Sequence, residues 1–295
     1  MAFVPPGPDE QLRAIGLLRD LPPELQRAFT PDDEFDSVPP PGPHDWLSVA
    51  RERGQSFERF TKVVSNRPDE ARPHIYLQPI GDFSRDQSEL LRQLQRFGTA
   101  FFARELRLLP SLAIEGSGIS TRRNRFTDVM QLKTRDILPL LAAHLPADAG
   151  CVLGVTGYDL YPHDTWSFVF GEALLDDRVG VFSVARYDPA FYGKPTDDSA
   201  ILLQRSCKVL AHEACHMLGM LHCVFFNCLM NGSNHLAESD RRPLHLCPVD
   251  LRKLHWSLSF DLGDRYRRLL TFWREVGVAG EARWIERRLA SIERG

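Results

Sequence analysis

The sequence predicts an α/β fold, and three stretches carry that prediction. Cys151–Leu160 (CVLGVTGYDL) is an almost unbroken apolar run, as expected of a strand covered on both faces at the centre of a sheet. Ser88–Leu106 repeats apolar residues at helical spacing, with Leu90, Leu91, Leu94, Phe97, Phe101 and Phe102 on one face. Trp166–Ala173 (WSFVFGEA) and Val179–Tyr187 (VGVFSVARY) are β-rich and joined only by residues 174–178, a link that favours an antiparallel hairpin.

The remaining elements follow in order. Residues 1–43 hold ten of the 21 prolines. Each proline removes an amide donor and blocks helix continuation, so residues 1–44 read as a loosely packed, extended arm with one short helix near Glu10–Leu21. From Asp45, DWLSVARERGQSFERFTKVV reads as two helical pieces. His74–Ile80 (HIYLQPI) is a first strand ending at the turn Gly81-Asp82, and Leu108–Ile114 reads as a second. Glu115–Ser120 contains GxG, but no third glycine follows in register, and Arg122 and Arg123 stand where a phosphate-binding helix would begin. It is a loop. Thr127–Leu145 reads helical across Pro139. After a loop at 188–199, Ala200–Leu218, Val249–Ser259, Leu262–Val276 and Glu281–Ile292 all read helical. On the last two, Arg265, Arg267, Arg268, Arg283, Arg287 and Arg288 alternate with Glu275, Glu281, Glu286 and Glu293, the pattern of a solvated surface rather than a nucleic-acid stripe.

Composition narrows the function classes. A chain of 295 residues with 43% apolar content can bury a sizeable core. A net charge of −3 gives no global pull toward nucleic acid. The first residues show neither a basic nor an apolar signal region, and no run of 18 apolar residues suggests a membrane span. Three of the six cysteines cluster beyond a histidine motif, and they read as metal ligands. Cys151, Cys207 and Cys215 read as buried small apolar residues. A cytoplasmic protein is expected.

The chemistry concentrates in HEACHMLGMLHC, residues 212–223. Two histidines four apart on a helix share a face, so His212 and His216 can reach one metal ion. Glu213, one position on, can hold a water on that ion without being a ligand. Gly219 suits a left-handed helix end that turns the chain and brings His222 up as third ligand. Three imidazoles and an open position describe a catalytic zinc site. The spacing HExxHxxGxxH arises by chance on the order of once in 10⁴ such sequences. With a downstream methionine turn it is the metzincin signature.

The continuation HCVFFNCLMNGSNHLAESDRRPLHLCPVD resembles the archaemetzincins, a metzincin branch, and the DWL and SFERF elements resemble its eukaryotic-like members. The resemblance implies a mixed, mostly parallel sheet of about five strands with an antiparallel edge strand and an active-site helix, residues 45–222. A smaller helical and irregular lower subdomain, 223–295, follows. It implies a zinc metallopeptidase, of a kind that is sometimes aminopeptidase-like, with Glu213 as general base and Met230 in the methionine turn. Trp166–Ala173 matches the edge strand that pairs with a peptide substrate, an unpaired edge being a template for extended chain. No nucleic acid or membrane partner is implied. A second zinc is also implied, with Cys223, Cys228 and Cys247 at three of its four cysteine positions. The fourth is Asp250. Carboxylate oxygen binds zinc at about 2.0–2.2 Å against about 2.3 Å for sulfur, so Asp250 can serve. His245 and His235 remain alternatives. Two other functions remain open: a zinc amidase or deacylase, and a zinc-binding regulatory protein with little turnover.

Overall fold

A computed structural model of the chain describes residues 3–63, 66–194 and 199–293. Residues 195–198 of the loop expected at 188–199, and the final valine of the second helical piece expected after Asp45, lie outside the described residues. In chain order the elements are α1 (Pro8–Ile15), α2 (Pro23–Phe29), α3 (Trp46–Val49), α4 (Phe57–Val63), β1 (His74–Ile80), α5 (Arg85–Phe102), β2 (Leu106–Leu108), β3 (Thr121–Arg123), β4 (Met130–Lys133), α6 (Thr134–Ala143), β5 (Ala149–Thr156), β6 (Asp159–Tyr161), β7 (Gly171–Leu174), β8 (Val179–Ser183), α7 (Ser199–Met217), α8 (Leu236–Asp240), α9 (Pro248–Leu258), α10 (Leu262–Glu275) and α11 (Ala279–Glu293). Contacts divide the chain into two compact units, Asn66–Leu218 and the combination of Met1–Ser65 with Gly219–Gly295.

The unit 66–218 is built on a five-stranded sheet of order β2-β1-β5-β8-β7. Strands β2, β1, β5 and β8 run parallel, and β7 pairs antiparallel with β8 at the edge. Every residue of β5 is buried, as its apolar run required. Helix α5 starts where Ser84 and Gln87 cap it reciprocally: the Ser84 hydroxyl accepts from Gln87 N at 3.2 Å, and Ser84 N donates to Gln87 Oε1 at 2.9 Å. Its apolar face, Leu90, Leu91, Leu94, Phe97, Phe101 and Phe102, is buried as the spacing predicts.

Three details differ from the expected elements. The second strand is Leu106–Leu108 rather than 108–114: Leu109 N still donates to Leu77 O, but the register then slips, and Leu112 N takes Pro79 O at 2.9 Å beside the isolated bridge Ile80–Leu112. The helix expected from Thr127 begins at Thr134, and Met130–Lys133 is instead a strand. That strand belongs to a small sheet of order β3-β4-β6, which the sequence pattern did not reveal. The hairpin is present, but its first strand begins at Gly171. Carbonyls of 164–167 are taken by side chains instead: Arg122 donates to Asp164 O and Trp166 O, and Gln131 to Ser167 O, all within 3.0 Å. Phe168 lies on the guanidinium of Arg186, 3.6 Å from its ring centroid, and Arg186 makes two 2.8 Å bonds to buried Asp159.

The other unit is helical, and the proline-rich arm is part of its core. Pro8 and Pro23 occupy first-turn positions, where the missing amide costs nothing, so both initiate helices rather than prevent them. Ile15, Phe29, Phe35 and Val38 are buried. Arg252 of α9 donates to Ile15 O at 2.5 Å and to Leu17 O at 3.0 Å. Arg288 of α11, wholly buried, donates to Asp32 Oδ2 at 2.5 Å and to Ala28 O at 2.6 Å. The expected loosely packed arm is therefore corrected. So is the reading of the C-terminal arginines as uniformly solvated, since Arg265 and Arg288 are buried. Among the described residues, no helix is long and apolar enough to cross a membrane.

Replacing Arg288 by alanine strips bonds from buried carbonyls of the arm. It should lower stability by about 2–4 kcal/mol, read from urea unfolding. A loss under about 0.5 kcal/mol would show that the arm is not held in this way.

Candidate metal centres

Helix α7 sets the first group of ligands. It packs against α5, β5, β7 and β8. Cys207, Leu210, Ala211, Ala214 and Leu218 face the core, and His212, Glu213 and His216 are left half-buried. The two imidazoles meet edge to face, with centroids 4.6 Å apart and planes at 88°. Their Nε2 atoms are 3.0 Å apart. Two zinc–nitrogen bonds of about 2.0–2.1 Å at a tetrahedral angle would separate them by about 3.3 Å, so the pair fits one ion with a few tenths of an ångström of adjustment.

Glu213 lies against the edge strand. A β-carbon built on Gly171, the first residue of β7, would stand 3.2 Å from the Glu213 carboxylate. Any side chain there would crowd the acid, so a glycine leaves it room beside the strand backbone. The C-terminal end of α7 is tied down by Asn66, whose amide donates to Met217 O at 2.7 Å and to Gly150 O at 3.2 Å.

In the helical unit, Gly219 has φ +85°, the left-handed turn expected of it. Gln55 clasps that turn from both sides: its amide donates to Gly219 O, and its Oε1 accepts from Leu221 N, each at 3.1 Å. His222 follows. Its Nδ1 is 2.7 Å from Glu52 Oε1, and Trp46 meets its ring edge-on at 5.4 Å. Glu52, Gln55 and Trp46 were not recognised as site residues from the sequence. The DWL element was noticed, but nothing in its local pattern says that it packs against a residue some 170 positions away.

The same unit gathers Cys223, Cys228, Cys247 and Asp250, all buried, with one ligand atom of each within 4.8 Å of the others. Cys223 Sγ and Cys247 Sγ are 3.7 Å apart, and Asp250 Oδ2 is 3.3 Å from both Cys228 Sγ and Cys247 Sγ. Tetrahedral zinc requires about 3.7 Å between sulfurs and about 3.6 Å between sulfur and oxygen, so the donor set fits. Cys247 caps α9, which puts Asp250 one turn on, facing the same point. Asn231 closes the loop by donating to Cys223 O and Phe226 O, both at 2.9 Å.

The electrostatics of this cluster are those of crowded anions. Burial raises Asp250, and the adjacent Cys223 thiolate adds to it, placing the carboxyl at about 6. Burial and the same neighbour push Cys228 and Cys247 well above the ordinary thiol range. For Cys223, burial is outweighed by hydrogen bonds from Cys228 and Cys247, which draw it well below that range. Lys253, itself buried, donates to Asp250 Oδ1 at 2.8 Å and leaves Oδ2 to the sulfurs. By contrast Cys151, buried alone, is simply pushed up to about 12.

His235 and His245 lie elsewhere. His245 stacks on Trp284 at 3.7 Å. His235 caps α8 and contacts Asp45 at 3.1 Å, forming with Glu238 a third group of metal-type residues. Arginines already satisfy those carboxylates: Arg241 makes two 2.8 Å bonds to Asp45, and Arg242 pairs with Glu238 at 2.9 Å. Met230 is fully buried, and its carbonyl accepts from Cys223 N at 2.8 Å.

A mostly parallel sheet of five strands with an antiparallel edge, over a helix that carries HExxH, defines a metzincin-like fold. Known proteins narrow it. Residues 149–256 match the model of peptidase family M54. Archaemetzincin-2 of Homo sapiens is 37% identical over 276 residues, covering 83% of this chain and 77% of that protein. Its Rattus norvegicus counterpart is 36% identical over 288 residues, covering 88% and 80%. Archaemetzincin-1 of Homo sapiens is 40% identical over 262 residues, covering 79% of this chain and 52% of its own length. The crystal structure of archaemetzincin from Methanopyrus kandleri superposes with a TM-score of 0.52 at 25% identity, covering 65% of this chain and 99% of that one. The chain belongs to the archaemetzincin family, a family of zinc metallopeptidases.

Gln55→Ala removes both bonds that hold the Gly219–Leu221 turn. It should cost about 0.5–1.5 kcal/mol in thermal unfolding, the net worth of such part-buried hydrogen bonds. An unchanged melting temperature would show that the turn needs no clasp.

Proposed function

We propose that the protein is a zinc-dependent peptidase that hydrolyses peptide bonds at His212, Glu213, His216 and His222. The observation that carries this reading is the pair of imidazole nitrogens 3.0 Å apart with an intact Glu213 carboxylate beside the edge strand. The motif spacing offers His222 as the third ligand of the proposed site. Bound to them, zinc supplies Lewis acidity that polarises a carbonyl and acidifies water. Glu213 accepts the proton of the attacking water at a carboxylate oxygen and returns it to the leaving amine, so the base of the first step is the acid of the second. The extended substrate lies along the segment Trp166–Ala173 and pairs there with backbone groups that Arg122 and Gln131 do not already occupy. Gly171 supports that arrangement, because it keeps the strand backbone close to Glu213. Trimming at a free amino terminus, the aminopeptidase-like mode, is the finer form of this proposal. Six free cysteines support a reducing, cytoplasmic setting.

The second part of the proposal is a structural zinc at Cys223, Cys228, Cys247 and Asp250. Three thiolates and a carboxylate carry the same formal charge as four thiolates, and Lys253 offsets one of those charges. Oxygen is the harder donor, so this site should hold zinc less tightly than an all-thiolate one.

Glu213→Gln keeps the shape of the side chain but cannot accept the proton. Turnover of a peptide substrate should fall by at least ~10² with zinc content unchanged. Undiminished turnover would refute the assigned base. Metal analysis of reduced, zinc-replete protein should return two zincs per chain. Asp250→Ala should lose one of them and Asp250→Cys neither; one zinc per chain in the parent protein would refute the second site.

A further inference from the structure

Sequence resemblance assigns the three histidine ligands and says nothing about what holds the third. His212 and His216 are fixed by the helix that carries them. His222 has no such frame: it lies outside any helix or strand, three residues past a left-handed glycine. A ligand on irregular chain needs its ring turned and its tautomer chosen by something else.

The structure assigns that task to Glu52: we infer that Glu52 is a positioning residue for His222, selecting the tautomer that leaves Nε2 free to bind metal. This inference rests on the zinc site proposed above. Glu52 Oε1 is 2.7 Å from His222 Nδ1. A 2.7 Å contact between these atoms is a hydrogen bond, and the arrangement that leaves Nε2 free for metal is the one in which Nδ1 carries the hydrogen and donates it to the carboxylate. In the neutral imidazole the lone pair is then on Nε2. A carboxylate behind a metal-binding histidine fixes the ring's orientation in this way.

Glu52 is itself held in place by a brace that the 45–55 segment forms in this unit. Trp46 N donates to both carboxylate oxygens of Glu238, at 3.1 and 3.0 Å. Glu238 is wholly buried, and accepts in addition from Arg242 and from Asn234 N. At the other end, Gln55 clasps the Gly219–Leu221 turn. Between these anchors the Trp46 indole stands edge-on to the His222 ring. Gly232 makes room for it, since a β-carbon there would come within 2.4 Å of the indole. Segment 45–55 lies wholly outside the stretch 149–256 that matches the family model, so the brace comes from a part of the chain remote in sequence from the motif.

The test uses full-length protein and two readouts other than activity. In zinc-free, ¹⁵N-labelled protein, imidazole ¹H–¹⁵N correlation spectra report the His222 tautomer. Competition with a chromophoric chelator reports zinc affinity, and imidazole ¹⁵N shifts identify the site being filled. Wild type should show His222 as the Nδ1–H tautomer. Glu52→Ala should lose that preference and bind zinc at the histidines about 10–100-fold more weakly. Glu52→Gln still accepts from Nδ1 but lacks the charge, so it should keep the tautomer while losing part of the affinity. Either an unchanged tautomer or an unchanged affinity in folded Glu52→Ala overturns the inference. If that variant does not fold, Glu52→Gln decides: affinity equal to wild type overturns it. Wild-type protein that binds no zinc at the histidines overturns the peptidase reading and this one together. Wild-type binding with indifferent variants overturns this one alone.

Discussion

Two imidazoles one helical turn apart set the terms for everything around them. An α-helix rises 1.5 Å per residue, so positions four apart are stacked on one face, and His212 and His216 bring their Nε2 atoms to 3.0 Å. For that face to stay half-open, the opposite face must be packed hard. Cys207, Leu210 and Ala214 are buried on that face, and α7 packs against α5 and against a sheet whose central strand is buried along its whole length. The parallel strands need covering helices, the helix needs a sheet to lie on, and the antiparallel β7 ends the sheet with its first residue, Gly171, beside Glu213. A side chain at 171 would meet the Val181 carbonyl at 3.0 Å and the Glu213 carboxylate at 3.2 Å, so the position suits a glycine.

The cysteine cluster obeys a different constraint. Four acidic donors are buried within a few ångströms of one another, an arrangement that repels itself in the absence of a cation. The directions of their proton affinities say the same: one thiol is drawn down while two thiols and the carboxyl are pushed up. Burying Lys253 against Asp250 relieves part of the repulsion, and the proposed zinc would relieve the rest. Asp250, which stands where the resemblance implies a fourth cysteine, thus comes with a local cation that orients it. One oxygen goes to the lysine, the other to the sulfurs.

Much of this was legible in the sequence, for reasons that can be stated. The HExxH helix and its glycine turn are local patterns, in which spacing along the chain translates directly into geometry, and the three cysteines were picked out by their resemblance to a family pattern. Asp250 was singled out only through the resemblance, which implies a cysteine at that position. Helix α5 and strand β5 were legible from periodicity and from its absence. Contacts between distant positions were not. Glu52 meets His222 across 170 residues, and Gln55 meets Leu221 across 166. The proline-rich arm was misread because prolines stop a helix in its middle and start one at its first turn, and position in the helix is not visible from composition. The strand at Met130–Lys133 runs into α6 without a glycine or proline to mark the change, so the two read as one helix.

The central claim is that this fold cleaves peptide bonds. It is tested most directly by incubating the zinc-loaded protein with a diverse synthetic peptide library and reading the new termini by mass spectrometry. The account predicts new amino and carboxyl termini that accumulate with time, are absent when a chelator has removed zinc, and return on its restoration. Metal-replete protein, with the histidine site shown to be filled, that generates no new termini from any peptide in the library would contradict it.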